Sequence, residues 1–200
     1  MIGIRNIVET IKKTDFGEYY KRFYIWRRRH LTTYQFVLIL SLIVGIASGL
    51  ASVVLKNTVH FTYNLISGFS WFSAERGNIL FLMYPAIGIG LTVLVIKYLV
   101  KDDLSHGVSK VMYAISRKGG RLKPHHCWSS MLTSSITVAF GGSVGLEAPI
   151  VLTGSAIASN IARFFRINTR YVIILLGCGA AGAIAGVFKA PIAGVLFVFE

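Results

Sequence analysis

The chain has 200 residues, of which 54% are hydrophobic and 14% charged, with a mean hydropathy of +0.63. These proportions lie outside the range of soluble domains and make a lipid bilayer the solvent of most of the chain. The net charge of +13 excludes a nucleic-acid reading by its distribution: Lys and Arg gather before residue 30, at 117–123 and at 163–170, with charge-poor stretches between, as the positive-inside rule predicts for cytoplasmic loops.

In residues 1–31, Ile4, Ile7, Val8, Ile11 and Phe16 recur at helical spacing among Lys and Glu. The pattern predicts a cytoplasmic amphipathic segment on the membrane surface, closed by the aromatic and basic anchor Trp26 to Arg29; a solvated tail is the alternative. No short apolar core followed by small residues marks a secretory signal there. Residues 32–200 read as one transmembrane domain. A span needs about 20 mostly apolar residues, and Thr33–Val54 supplies them without a charge. Its Gly45 and Gly49 stand at the spacing that lets another helix approach closely. This span runs outward, the aromatic stretch Lys56–Arg76 is interfacial or external, and Asn78–Leu99 returns to the cytoplasmic Lys101-Asp102-Asp103.

The remaining segments are short, rich in Gly and Ala and broken by polar residues or Pro. They predict helices over Val108–Ser116, Trp128–Phe140, Glu147–Phe165, Tyr171–Val187 and Ile192–Glu200. A basic loop follows the first of these, Gly141-Gly142 ends the second, a basic turn at 166–170 follows the third, and Lys189-Ala190-Pro191 breaks the chain before the last. The fold class is therefore all-α and polytopic, with every basic loop on the cytoplasmic side. Beyond residue 103, Lys189 alone falls on the far side, where one cation is tolerable or serves to attract anions. Cys127 and Cys178 lack metal or disulfide spacing and read as small buried hydrophobes.

Irregular backbone inside a membrane is tolerated only where protein or an aqueous cavity receives it, so broken helices mark binding sites. A helix N-terminus there carries unsatisfied N–H groups and roughly half a positive charge, which makes an anion site without Lys or Arg. Two stretches have this form: Ser105-His106-Gly107-Val108-Ser109, and Gly142 to Pro149 with Gly145, Leu146, Glu147 and Ala148. In the second, Pro149 suits a first helical turn and Glu147 sets a carboxylate beside the positive helix end. Ionised Glu147 would occupy the anion site itself, and protonation would free the site for a diffusible anion. An ordinary first-turn acid, worth about 0.3–1 kcal/mol, is the plain alternative. Glu147 is the only acid between Asp103 and Glu200, and ionisable groups in membrane segments are costly, which favours function.

These residues resemble the CLC family of chloride channels and chloride–proton antiporters, over roughly residues 33 to 200. Gly145 to Pro149 is similar to the family's Gly-Lys/Arg-Glu-Gly-Pro motif, and Ser105 to Ser109 to its Gly-Ser-Gly-Ile-Pro motif. Ala180 to Glu200 resembles the small-residue stretch that follows the gate. The resemblance implies the first of two inverted halves of an anion transporter. It makes Glu147 the gating and proton-transferring residue. Ser105, His106, Gly107, Val108, Ser109, Gly145, Leu146, Ala148 and Pro149 become the anion-binding set. His106 stands where the family has its anion-binding Ser, Ser109 where it has Pro, Leu146 where it has a basic residue and Ala148 where it has its second Gly.

Also implied are chloride or a similar small anion as substrate, protons as a coupled ion, a homodimer of the full-length protein, and a location in the cell membrane with the N-terminus cytoplasmic. No cofactor, metal or enzymatic activity is expected, and no nucleic acid. A passive chloride channel and a non-transporting membrane fragment are the competing readings. A membrane enzyme using His125-His126-Cys127 as zinc ligands is a third, weakened because adjacent ligands lack the usual spacing.

Overall fold

The computed structural model of the chain describes residues 32–67, 80–100, 107–143 and 145–200. The expected surface helix and its anchor, the aromatic stretch beyond residue 67, and Ser105 and His106 lie outside the described residues. The chain divides into two compact units, Met1–Ile39 and Leu40–Glu200; the described part of the first is the opening of helix α1.

Seven α-helices and no strand occur among the described residues: α1 Thr33–Ser67, α2 Leu80–Val95, α3 Gly107–Lys118, α4 Ser129–Ala139, α5 Glu147–Phe164, α6 Thr169–Phe188 and α7 Pro191–Phe199. A π-helical turn, Ile96–Val100, extends α2, and a 3₁₀ turn, Pro124–Cys127, leads into α4. Thr33–Leu65 and Thr169–Phe188 are long and apolar enough to cross a membrane. The first span continues past Val54 because no Gly or Pro interrupts it, and its hydroxyls stay within the helix: Thr58 Oγ1 donates to Val54 O (2.8 Å) and Thr62 Oγ1 to Thr58 O (2.7 Å). Lys56 and His60 thus lie within the helix.

Helix α5 is the centre of the Leu40–Glu200 unit. Ile150 to Ala156 are buried without exception, so the helix is covered on every side. Its tightest neighbour is α6, which crosses it antiparallel: a Cβ on Gly154 would overlap Gly179 O, a Cβ on Gly179 would overlap Gly154 O, and Ala158 and Ala183 flank the crossing. Two glycines face to face bring the backbones into contact, the geometry in which helices gain van der Waals packing when lipid gives no hydrophobic drive. On the other face of α6, a Cβ on Gly182 would lie 2.5 Å from Ser48 Oγ, and one on Gly186 would lie 2.8 Å from Ser52 Cβ. Ser52 Oγ also donates to Ala183 O at 2.6 Å. The order of these contacts makes α1, from Gly45 to Ser52, parallel to α6. Helix α7 returns antiparallel along α6, with Gly194 on the Ala181 carbonyl and Val198 at Gly177.

Helix α4 is built from hydroxyls. Ser129, Ser130, Thr133, Ser134, Ser135 and Thr137 are all buried. Thr133, Ser134, Ser135 and Thr137 donate back to carbonyls three or four residues earlier in their own helix. That satisfies their donors without water. Thr137 also meets Thr92 of α2 at 2.9 Å between hydroxyl oxygens, with Gly88 against Phe140 one turn away, so α2 and α4 are antiparallel.

Candidate functional site

Helix α3 is amphipathic, with Gly107, Val111 and Ala114 buried along one stripe. This stripe faces α5. At the start of α3, a Cβ on Gly107 would overlap the Ala148 carbonyl oxygen and lie 3.4 Å from Leu152 Cβ. At its far end, Gly119 and Gly120 take positive φ (56° and 77°), a conformation that favours glycine, and Gly120 N–H donates back to Ala114 O at 2.8 Å, closing the helix. The loop that follows is bound to the C-terminal half of α5. Ser159 Oγ, buried, donates to Gly120 O (2.7 Å) and accepts from Leu122 N–H (2.9 Å), and the Arg163 guanidinium donates to Leu122 O. Helices α3 and α5 therefore run parallel, with both N-termini at one end and both C-termini at the other.

The two candidate anion-binding segments, far apart in sequence, are thus in backbone contact through Gly107 and Ala148. Glu147 is the first residue of α5 and is exposed. Leu146 forms the N-cap with αR backbone (φ −80°, ψ −8°) and makes no side-chain cap bond. It instead packs, half-buried, on a cluster of Leu55, Ile150 and Ala183. Gly145 is exposed with open space around its Cα; Ala148 and Pro149 are half-buried, and Val108 and Ser109 exposed. The α5 start contrasts with that of α6, where Asn168 Oδ1 accepts from Arg170 N–H at 3.4 Å. Donors at the start of α5 are left without a side-chain partner, which is what an anion requires of a helix end.

At the opposite end, the 117–123 loop and the 163–170 turn come together: a Cβ on Gly119 would lie 2.9 Å from Thr169 Cγ2, and one on Gly120 2.8 Å from Val172 Cγ1. Their Lys and Arg side chains therefore share one end of the bundle, beside the C-termini of α3 and α5, where cations are favoured by the helix dipoles. Ser159 and Arg163, which hold this end, carried no distinguishing sequence signal as loop anchors. The crossing had a signal that the sequence reading did not use, the small-residue spacings Gly154-x-x-x-Ala158 and Gly179-x-x-x-Ala183.

His126 is buried in the 3₁₀ turn, and Cys127 Sγ accepts from Asn160 Nδ2 at 3.3 Å. Among the described residues no group of three His, Cys, Asp or Glu side chains could hold a metal ion. A groove of about 420 Å³ between α1 and the start of α4 is lined by Leu50, Val54, Trp128, Met131 and neighbours. It shares no lining residue with either anion-binding segment, and its apolar walls suit hydrocarbon rather than an anion.

The family model described as voltage gated chloride channel matches residues 86–200. The H(+)/Cl(−) exchange transporter ClcA of Vibrio cholerae is 30% identical over 82% of this chain and 36% of its own length. ClcA of Vibrio vulnificus is 28% identical over 86% of this chain and 38% of its own length. The chain thus spans little more than a third of the length of these two relatives. No solved structure matches it. With its all-helical fold, glycine-built crossings and matched segment, the chain belongs to the CLC family of integral membrane proteins.

Proposed function

We propose that this chain supplies the first half of a chloride-transporting pathway in which the N-termini of α3 and α5 face a dehydrated anion and Glu147 is the gate. The observation that carries the reading is the contact of Gly107 with the Ala148 carbonyl, which sets two helix starts side by side, with that of α5 uncapped by any side chain. Two such ends present several N–H donors and the positive poles of two dipoles to one small volume, enough to replace part of an anion's hydration. Ser105, His106, Gly107, Val108 and Ser109 contribute from α3, and Gly145, Leu146, Ala148 and Pro149 from α5. In this reading the Glu147 carboxylate competes for that volume when ionised and vacates it when protonated, so anion passage follows proton uptake.

The relatives named as H(+)/Cl(−) exchangers support proton-coupled antiport over passive conduction. The full-length protein would be a homodimer in the cell membrane, with its N-terminus and basic loops cytoplasmic; the shared position of the 117–123 and 163–170 loops supports that orientation. The test is chloride flux by the full-length protein in liposomes. Glu147→Gln is expected to abolish the pH dependence of flux, and a wild-type reversal potential that shifts with a pH gradient is expected for antiport. Flux and pH dependence unchanged in Glu147→Gln would sink the gate.

A further inference from the structure

We propose that Lys189 is an anion-attracting residue at the rim of the pathway, acting on the anion before it reaches the helix ends. Lys189 is the C-cap of α6 and adopts the left-handed conformation (φ 53°, ψ 31°). Glycine is the unstrained choice at such a position, and Gly119, Gly120 and Gly141 fill the described positive-φ turns elsewhere, with Arg166 the other exception. Of these two strained non-glycine residues, Lys189 is the one at the end of α6 away from the 163–170 turn.

Position supplies the second, independent observation. Val187, two residues before Lys189, and Leu146, one before Glu147, both pack on the cluster of Leu55, Ile150 and Ala183. Lys189 and Glu147 therefore lie on the same rim, at the end of α5 and α6 opposite the Arg163 and Thr169 loops, and both are exposed. The residue beside Glu147 brings no charge, because Leu146 is apolar and packs on the core. The chain after Lys189 enters α7 at Pro191 without a side-chain cap, so Lys189 directly precedes the N-cap of a further positive helix end. A cation in that position raises the local concentration of a diffusing anion, an effect that mobile salt screens. The cations at the other end need no such role, since they face the C-termini of α3 and α5.

The inference rests on the anion-pathway reading, so its test separates the two. Chloride binding to the purified full-length protein is measured by titration calorimetry at low and high ionic strength, alongside liposome flux. Lys189→Asn, neutral and tolerant of the left-handed region, is expected to weaken chloride binding roughly three- to tenfold at low ionic strength, with the gap closing at high. Lys189→Arg is expected to restore binding. Arg121→Gln, which removes an exposed cation at the opposite end of the bundle, is expected to leave binding near wild type.

Wild-type affinity in Lys189→Asn at low ionic strength, or an equal loss in Arg121→Gln, overturns the assignment. A merely structural cap would lower or raise thermal stability in Lys189→Asn and leave chloride affinity alone, which also overturns it. If Glu147→Gln leaves flux unchanged while Lys189→Asn weakens binding, the gate fails and the rim residue stands. A wild-type protein that neither binds nor carries chloride overturns both.

Discussion

The two ends of α5 are finished in opposite ways. At its C-terminal end, orphan groups of the adjoining loop are met one by one: Ser159 serves Gly120 and Leu122, Arg163 serves Leu122 again, and Gly119 and Gly120 close α3. At its N-terminal end, no side chain caps the helix, the start of α3 is pressed against it, and the first residue is a carboxylate. Helix termini leave about four donors or acceptors without partners, and proteins ordinarily satisfy them. Helices α4 and α7 also begin without a side-chain cap, so what sets the start of α5 apart is the second helix start pressed against it. The contrast also distributes charge, with positive poles gathered at one end and the negative poles at the other faced by Lys and Arg. The closed end fixes where the open end sits.

The comparison breaks most completely at the crossing that frames both ends. Gly154→Val would drive a side chain into the Gly179 carbonyl, a backbone group that cannot rotate away. Overpacking of this kind costs about 1–3 kcal/mol or more, and the expected outcome is loss of the monodisperse species in size-exclusion chromatography. The next largest effect is confined to the open end. Gly107→Ala places its Cβ on the Ala148 carbonyl and must separate α3 from α5 at their starts. Chloride flux is expected to fall by about tenfold or more, since a displacement of about 1 Å can cost a hundredfold where geometry carries the function. Full flux in Gly107→Ala would show that the two helix starts need not touch.

Much of this fold was legible in residue order, and the reasons differ by element. Glycine spacing in α1 pointed to a close helix approach, and Gly45 and Gly49 do meet Gly182 and Gly186 of α6. The tighter contact of Gly154 with Gly179 was left unread, although each glycine costs a helix interior about 1 kcal/mol against Ala. The start of α5 was legible from Pro149 and Glu147, residues that favour a first turn. The continuation of α1 through Lys56 and His60 was not. The aromatic, nearly uncharged composition suggested an interfacial or external stretch, whereas the absence of Gly and Pro past Val54 and the within-helix hydroxyl bonds of Thr58 and Thr62 carry the helix on to Ser67. Contact between Gly107 and Ala148 was beyond reach, because pairing of distant backbone is set by packing along α3 and α5 together. Ser159 was equally opaque: a lone Ser in an apolar helix looks the same whether it bonds its own helix or staples a loop.

That staple gives the next prediction. Ser159→Ala removes the partner of both Leu122 N–H and Gly120 O in a buried place, and an unsatisfied buried group costs about 1–3 kcal/mol. A drop in thermal midpoint is expected, with chloride flux per folded protein little changed, because the affected loop is at the closed end. If flux fell as far as in Gly107→Ala while the midpoint held, the two ends would be coupled rather than divided.

The smallest expected effect tests whether capping truly separates the helix starts. Asn168→Ala deletes the side-chain acceptor for Arg170 N–H at the start of α6. Loss of such a cap costs about 0.5–2 kcal/mol, and here toward the low end, because the bond is long at 3.4 Å and the site exposed. A small fall in thermal midpoint is expected, with chloride affinity unchanged, since this helix start faces the loops rather than Glu147. Adding chloride should stabilise wild type and Asn168→Ala by the same increment if the anion binds at the start of α5. An increment that disappears only in Asn168→Ala would move the anion to the other end of the molecule and reverse the comparison.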